Sequence, residues 1–183
     1  MRADAQKNRD TLLASARALF FEQEQEASLR DVARRAGVGM GTLYRHFPTR
    51  EALLETLLRA EFDALALSAE TLNDAARPDL GLVQWLEEII DFTYRHRGII
   101  APMMGAIEDE YSALHESCVA LRAAGARLLS RAQQAGSARA DMTGEELFDL
   151  IAALAWLREQ PAHAPRAERV FQIVTDVILT GRE

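Results

Sequence analysis

Leu12, Leu13, Ala16, Leu19 and Phe20 fall at i, i+1, i+4, i+7 and i+8. That spacing lays one apolar stripe along a helix and predicts an element over about residues 6–22. Gln23 to Ala27 is a polar break. Ser28 and Asp31 then form an S-x-x-D pair, whose side chains can cover the orphan N–H groups of a second helix start. In that helix Val32, Ala33 and Ala36 face inward, and Gly37 closes it, since a positive φ is cheap there only for glycine. A third, short helix is predicted over about residues 40–46, with Leu43 and Phe47, four apart, turned to the core. Pro48 and Thr49 end it and open a fourth helix over about residues 50–74.

The rest of the chain continues in the same period. Pro78 precedes a fifth helix over about residues 80–96, and Gly98 separates it from a short sixth over about 99–106. A seventh, about 110–134, carries Leu114, Cys118, Leu121, Gly125 and Leu128 on one stripe and stops at Gly136. Thr143 and Glu146 form a second capping pair and open an eighth helix, about 144–158. Pro161 and Pro165 mark a loop before a ninth, about 165–180. No segment alternates as a half-buried strand does. The expected fold is all-α, with about nine helices: a three-helix N-terminal domain over residues 1–49 and a helical domain over residues 50–183.

Composition agrees. Hydrophobic residues make up 49% of the chain and aromatics only 7%, while Ala and Leu abound, which favours helix over sheet. The single cysteine, Cys118, excludes an intrachain disulfide framework and a cysteine-rich metal site. No apolar run approaches the ~20 residues of a membrane span, and no leader-like apolar stretch follows the first charges. A cytoplasmic protein with no membrane partner is therefore expected. The net charge is −7, but it is unevenly spread. Residues 1–50 hold nine basic and six acidic side chains, a balance of +3, and the remainder carries −10. Phosphate attraction decays over about 10 Å at physiological salt. A positive head can thus hold DNA while an acidic body stays clear of it.

The second and third helices are joined by a glycine turn, and the third is short, basic and aromatic. This is the pattern of a helix-turn-helix that sets its second helix in the major groove. Gly41 permits close approach of backbone to duplex, and Thr42 offers a methyl and a hydroxyl to thymine or phosphate. Tyr44 and His46 suit phosphate contacts that fix register, and Arg45 can read guanine or pair with phosphate.

The string A-x-x-A-G-V-x-x-G-T-L-Y-x-H-F-x-x-R-E-x-L, from Ala33 to Leu53, resembles the DNA-binding region of TetR (tetracycline-repressor-like) bacterial regulators over about residues 9–58. The opening R-A-D-A-Q-K-N-R and the short, roughly five-helix remainder are similar to the SbtR-like subgroup. The resemblance implies that Arg30 reaches a base edge and that Arg50 binds phosphate. Gly39 stands where many relatives have Ser or Thr at the N-cap of the third helix. Gly caps less well and lacks a hydroxyl for phosphate. Met40 is less polar than many residues at its position. The expected DNA-contacting set is Arg30, Gly39, Met40, Gly41, Thr42, Tyr44, Arg45, His46 and Arg50.

In the body, Trp85, Ile89, Phe92 and His96 recur on one face of the fifth helix, and Met103, Met104 and Ile107 follow on the sixth. With Glu108, Tyr111 and Cys118 these residues are either core or the wall of an effector cavity, for which methionine and aromatic side chains are suited. The family resemblance implies such a cavity, and hence a small, mostly apolar effector. The last two helices are apolar on more than one face. Leu147, Leu150, Ile151, Leu154, Val170, Val174 and Val177 are expected to join a four-helix homodimer interface around a two-fold axis. A dimer would read a palindromic double-stranded operator. The functional expectation is a ligand-responsive transcriptional regulator, a repressor released by a small molecule. One rival is a helical enzyme or metal protein using His96, Glu108, Asp109, Tyr111 and His115. It lacks H-E-x-x-H, G-x-S-x-G and phosphate-loop motifs. No catalytic residue, metal ligand or cofactor is assigned. The other rival is a ligand-independent DNA-binding protein.

Overall fold

The computed structural model describes the backbone of residues 2–22 and 27–180 and the side chains of residues 5–21 and 27–180. Helix α1 (Arg2–Arg17) runs on into a wider π-helical turn, Ala18–Glu22. It is followed by α2 (Leu29–Ala36), α3 (Met40–His46), α4 (Arg50–Asn73) and α5 (Pro78–Arg95). Then come α6 (Arg97–Ile100), a 3-10 turn (Ala101–Met103) and α7 (Met104–Glu108). The series ends with α8 (Ala113–Gln134), α9 (Gly144–Glu159) and α10 (Ala164–Ile178). The expected all-α architecture is present. The expected polar break lies, apart from Ala27, outside the described residues.

The sixth expected helix is split into α6, the 3-10 turn and α7. Pro102 causes the split, because it has no N–H to give and its ring clashes with the carbonyl four residues back. Counted as one broken segment, these pieces leave nine helical segments among the described residues.

The chain packs as two compact units. The first is Met1–Ala60 with Arg95–His115, and the second is Glu61–Tyr94 with Glu116–Glu183. In the first unit the stripe of α1 is buried as Leu12, Ala16, Leu19 and Phe20, and α2 and α3 contribute Val32, Ala33 and Leu43. Phe47 and the Leu53, Leu54, Leu57 and Leu58 positions of α4 complete this core. Phe21 packs its ring 4.6 Å from that of His96, which is buried with Ile99, Met103 and Ile107.

In the second unit Trp85 is fully buried and its indole N–H donates to the Leu65 carbonyl at 3.0 Å. The ring meets Phe148 edge-on at 5.9 Å, and Phe62 meets Phe92 in the same manner at 6.2 Å. Gly81 allows α5 to cross close to α4, since a Cβ there would stand 2.9 Å from the Leu72 carbonyl oxygen. The loop before α9 is tied to the chain end by an antiparallel bridge, Ala138 to Leu179, with Arg139 N–H donating to the Ile178 carbonyl at 2.9 Å.

Candidate nucleic-acid interface

The helix-turn-helix is built from local signals. Ser28 accepts the Asp31 N–H through its hydroxyl oxygen at 3.2 Å, and the Asp31 carboxylate receives the Ser28 N–H at 3.1 Å. This reciprocal cap satisfies two donors that helix geometry leaves orphaned. The hydroxyl of Ser28 also donates to Asp31 at 2.6 Å. That bond, then the Ser28 N–H and the positive charges of Arg34 and Arg30, hold the Asp31 carboxyl below the ordinary carboxylate range. Arg34 pairs with Asp31 at 2.7 Å. Helix α2 ends on Gly37, which adopts φ 67° and ψ 26° and turns the chain towards α3. The Val38 N–H closes this cap on the Ala33 carbonyl at 3.0 Å.

Helix α3 starts at Gly39 without a side-chain cap, as the glycine there predicts. Only Leu43 of its seven residues is buried, and Phe47 follows it into the core. Gly41, Tyr44 and Arg45 are exposed, and Met40, Thr42 and His46 are half-buried. Arg30 on α2, Gly39 before α3 and Arg50 at the start of α4 are also exposed. The nine expected DNA-contacting residues are therefore all exposed or half-buried in the first unit, seven on α3 or its N-cap, with Arg30 on α2 and Arg50 on α4. Arg45 rests its Nε–H on the Gly41 carbonyl at 3.2 Å. Thr49 caps α4 by accepting the Ala52 N–H at 3.0 Å.

Gly39 serves as the N-cap of α3, where glycine is tolerated well, but among the described residues nothing requires a glycine at Gly41, inside the helix. A Cβ at Gly39 or Gly41 would meet no atom within 4 Å, and neither has a positive φ. Glycine inside a helix costs about 1 kcal/mol relative to alanine.

The expected effector wall divides between the units. Trp85, Ile89 and Phe92 are buried in the second unit, where Cys118 is half-buried. His96, Met103 and Ile107 are buried in the first unit, while Met104 and Glu108 are exposed there. Tyr111 is 97% exposed and so lines no interior. Its N–H bonds the Asp109 carboxylate at 3.0 Å in the turn before α8, which carries the side chain outward. His115, weighed as a metal or acid–base group, places Nδ1 2.8 Å from the Ile107 carbonyl. Among the described residues no three His, Cys, Asp or Glu side chains are grouped to hold a metal, and no helix is long and apolar enough to cross a membrane.

The expected dimer set also divides. Leu147, Ile151 and Leu154 are buried within the protomer, because α9 turns this stripe to its own core. Leu150, Val170 and Val174 are half-buried. Val177 is 58% exposed, and so are two apolar side chains outside the expected dimer set, Trp156 at 56% and Ile173 at 46%. Their exposure follows from α9 and α10 carrying apolar residues on more than one face, so that periodicity alone does not say which face is inner.

Comparison with known proteins finds two family models along the chain. Residues 12–57 match the family model described as bacterial regulatory proteins, tetR family. Residues 77–179 match that of the transcriptional regulator SbtR-like, C-terminal domain. The chain is 29% identical over 102 residues to the HTH-type transcriptional regulator SAR2658 of Staphylococcus aureus (strain MRSA252), covering 55% of each. It thus spans about half the length of the curated relatives it matches. Among solved structures it is similar to the TetR transcriptional regulator SCO0520 from Streptomyces coelicolor, with 33% identity, 94% of this chain and 99% of that one covered, and a TM-score of 0.72. The TetR transcription regulatory protein from Mycobacterium vanbaalenii is 28% identical, with 98% and 99% covered and a TM-score of 0.69.

Proposed function

The chain belongs to the TetR family of bacterial regulatory proteins, and from that premise we propose that it is a DNA-binding transcriptional regulator, a repressor released from a two-fold operator by a small molecule. The observation that carries this reading is α3. It buries only Leu43 and leaves its other six residues exposed or half-buried, and a Cβ at Gly41 would meet no described atom within 4 Å. In the major groove, Gly41 would let the helix backbone close on the duplex. Thr42 and Arg45 would meet base edges, Arg45 exchanging its bond to the Gly41 carbonyl for guanine or phosphate. Tyr44, His46 and Arg50 would hold phosphates and fix the register, and Arg30 would reach a base from α2.

So short a reading helix needs a second copy, since two half-sites multiply the discrimination of one. The exposed apolar side chains Trp156, Ile173 and Val177 support a homodimer through α9 and α10. In the second unit Trp85 is committed to packing, so the effector reading there rests on Ile89, Phe92 and Cys118. A small, mostly apolar ligand suits their chemistry.

Selection of bound duplexes from a random pool tests the reading. A two-fold symmetric motif is expected. Binding that is salt-dependent but indifferent to sequence would favour the ligand-independent alternative. No retained duplex at low salt would refute the reading.

A further inference from the structure

We infer that Arg9, on α1, is an additional DNA-phosphate contact, held in place by the ring of Phe47 at the exit of the recognition helix. This inference rests on the DNA-binding reading above. The Arg9 guanidinium carbon lies 5.5 Å from the centroid of the Phe47 ring. Phe47 is buried and follows His46 directly in sequence, so the cation stands at the end of α3 although it belongs to a different helix. Arg50, three residues beyond Phe47, is held in the same way, 5.4 Å over the buried ring of Phe20.

These two cations differ from several arginines of the molecule that are tied to carboxylates. Arg34 is paired with Asp31, Arg77 with Asp79, Arg127 with Glu70 and Arg139 with Asp141. Among the described residues neither Arg9 nor Arg50 meets a carboxylate at ion-pair distance. Asp10, the neighbour of Arg9, takes its hydrogen bond from Gln6 instead, at 2.8 Å. A guanidinium stacked on a ring uses its face and keeps its N–H edge open, and that edge fits two phosphate oxygens at once. The stack also removes part of the rotamer freedom that a long side chain would lose on binding. Phe47 is therefore a positioning residue and Arg9 the contact. A phosphate contact from α1 together with Arg50 would grip the backbone beside the groove that α3 enters.

The test measures binding of the whole protein to a random-sequence 30-bp duplex across 50–200 mM salt. Each phosphate neutralised contributes about 0.9 to the logarithmic salt slope. Arg9→Ala should thus lose about 0.9 per bound protomer, so that the fourfold rise in salt weakens it about 3.5-fold less than wild type for each copy bound. Arg9→Lys should keep the slope and bind more weakly, because it has charge without the planar fork. Phe47→Leu should do the same, and a thermal melt shows whether it folds. Arg122→Ala is the control. That arginine is stacked on Phe148 at 5.6 Å in the second unit, and its loss should leave the slope unchanged. A wild-type slope for Arg9→Ala, or an equal loss in Arg122→Ala, overturns the inference while the DNA-binding reading stands. Failure of the wild-type protein to bind the duplex at 50 mM overturns both.

Discussion

Replacing Gly125 by alanine sets two effects against each other, and the structure decides between them. Gly125 lies inside α8, where removing a glycine favours the helix by about 1 kcal/mol. Yet a Cβ there would press on Trp85 Cη2 and Cζ3, 2.7 Å from the latter, and stand 3.1 Å from Phe148 Cε2. The indole has nowhere to retreat. It is fully buried, and its N–H is anchored 3.0 Å from the Leu65 carbonyl. Forcing a methyl into such a core costs about 1–3 kcal/mol, and a lost buried hydrogen bond adds about 1 kcal/mol. After the propensity gain the net effect is a loss of about 1–3 kcal/mol. In a chain of this size that lowers the melting temperature by roughly 3–10 °C. Trp85 fluorescence in a Trp156→Phe background, followed through denaturant unfolding, reports on this packing directly. A midpoint for Gly125→Ala equal to or above its parent would refute the argument that the Trp85 ring needs the glycine.

Gly41→Ala should behave in the opposite way. The added Cβ meets nothing within 4 Å, so the fold should gain up to about 1 kcal/mol by helix propensity while operator affinity falls. Unchanged affinity would remove Gly41 from the interface. In the proposed dimer, Val177→Glu should shift sedimentation at micromolar concentration towards monomer with helical content intact. Leu154→Glu should unfold the protein instead, since it buries a charge in the protomer; the same outcome for both would dispose of the assignment of faces. Asp141, bonded by Arg139, has its carboxyl lowered to about 2, below an unfolded value near 4. Its stabilising effect is complete above pH ~4 and is lost as pH falls through the folded value. Asp141→Asn should thus flatten the acid-unfolding curve between pH ~4 and ~2, and an unaltered curve would show the pair to be inert.

What the sequence made legible was local. The span of α3 was readable to the residue because Gly37, Gly39 and Pro48 mark its surroundings, and the caps at Ser28 and Thr143 were readable because their partners lie three residues on. The π-helical turn after Arg17 left no such mark, and Pro102 broke a segment that periodicity alone drew as continuous. Apolar periodicity misplaced Leu147, Ile151 and Leu154 because α9 offers more than one face. It overlooked Trp156 for the same reason, since the indole lies off the leucine stripe that α9 turns inward. The Arg9–Phe47 and Arg50–Phe20 stacks were invisible because each joins residues far apart in the chain.

The ion pairs also bear on how a chain of net charge −7 would hold DNA. Counting charges over residues 1–50 gives +3, but the count treats every arginine as equally available. Asp31 ties Arg34 at 2.7 Å while capping α2, so one carboxylate both starts the helix and withdraws a cation from the surface. Arg9 and Arg50 rest on aromatic rings, which hold them without neutralising them. An attraction confined to a few such cations reaches only about 10 Å at physiological salt. The electrostatic share of affinity should therefore follow the arginines that lack carboxylate partners, Arg9 and Arg50 first. The acidic helices beyond residue 50 should alter it little. On this view the salt slope of Arg34→Ala stays close to that of the wild type, although Arg34 stands only four residues from Arg30. A loss as large as that of Arg50→Ala would mean that pairing does not govern which cations the phosphates meet.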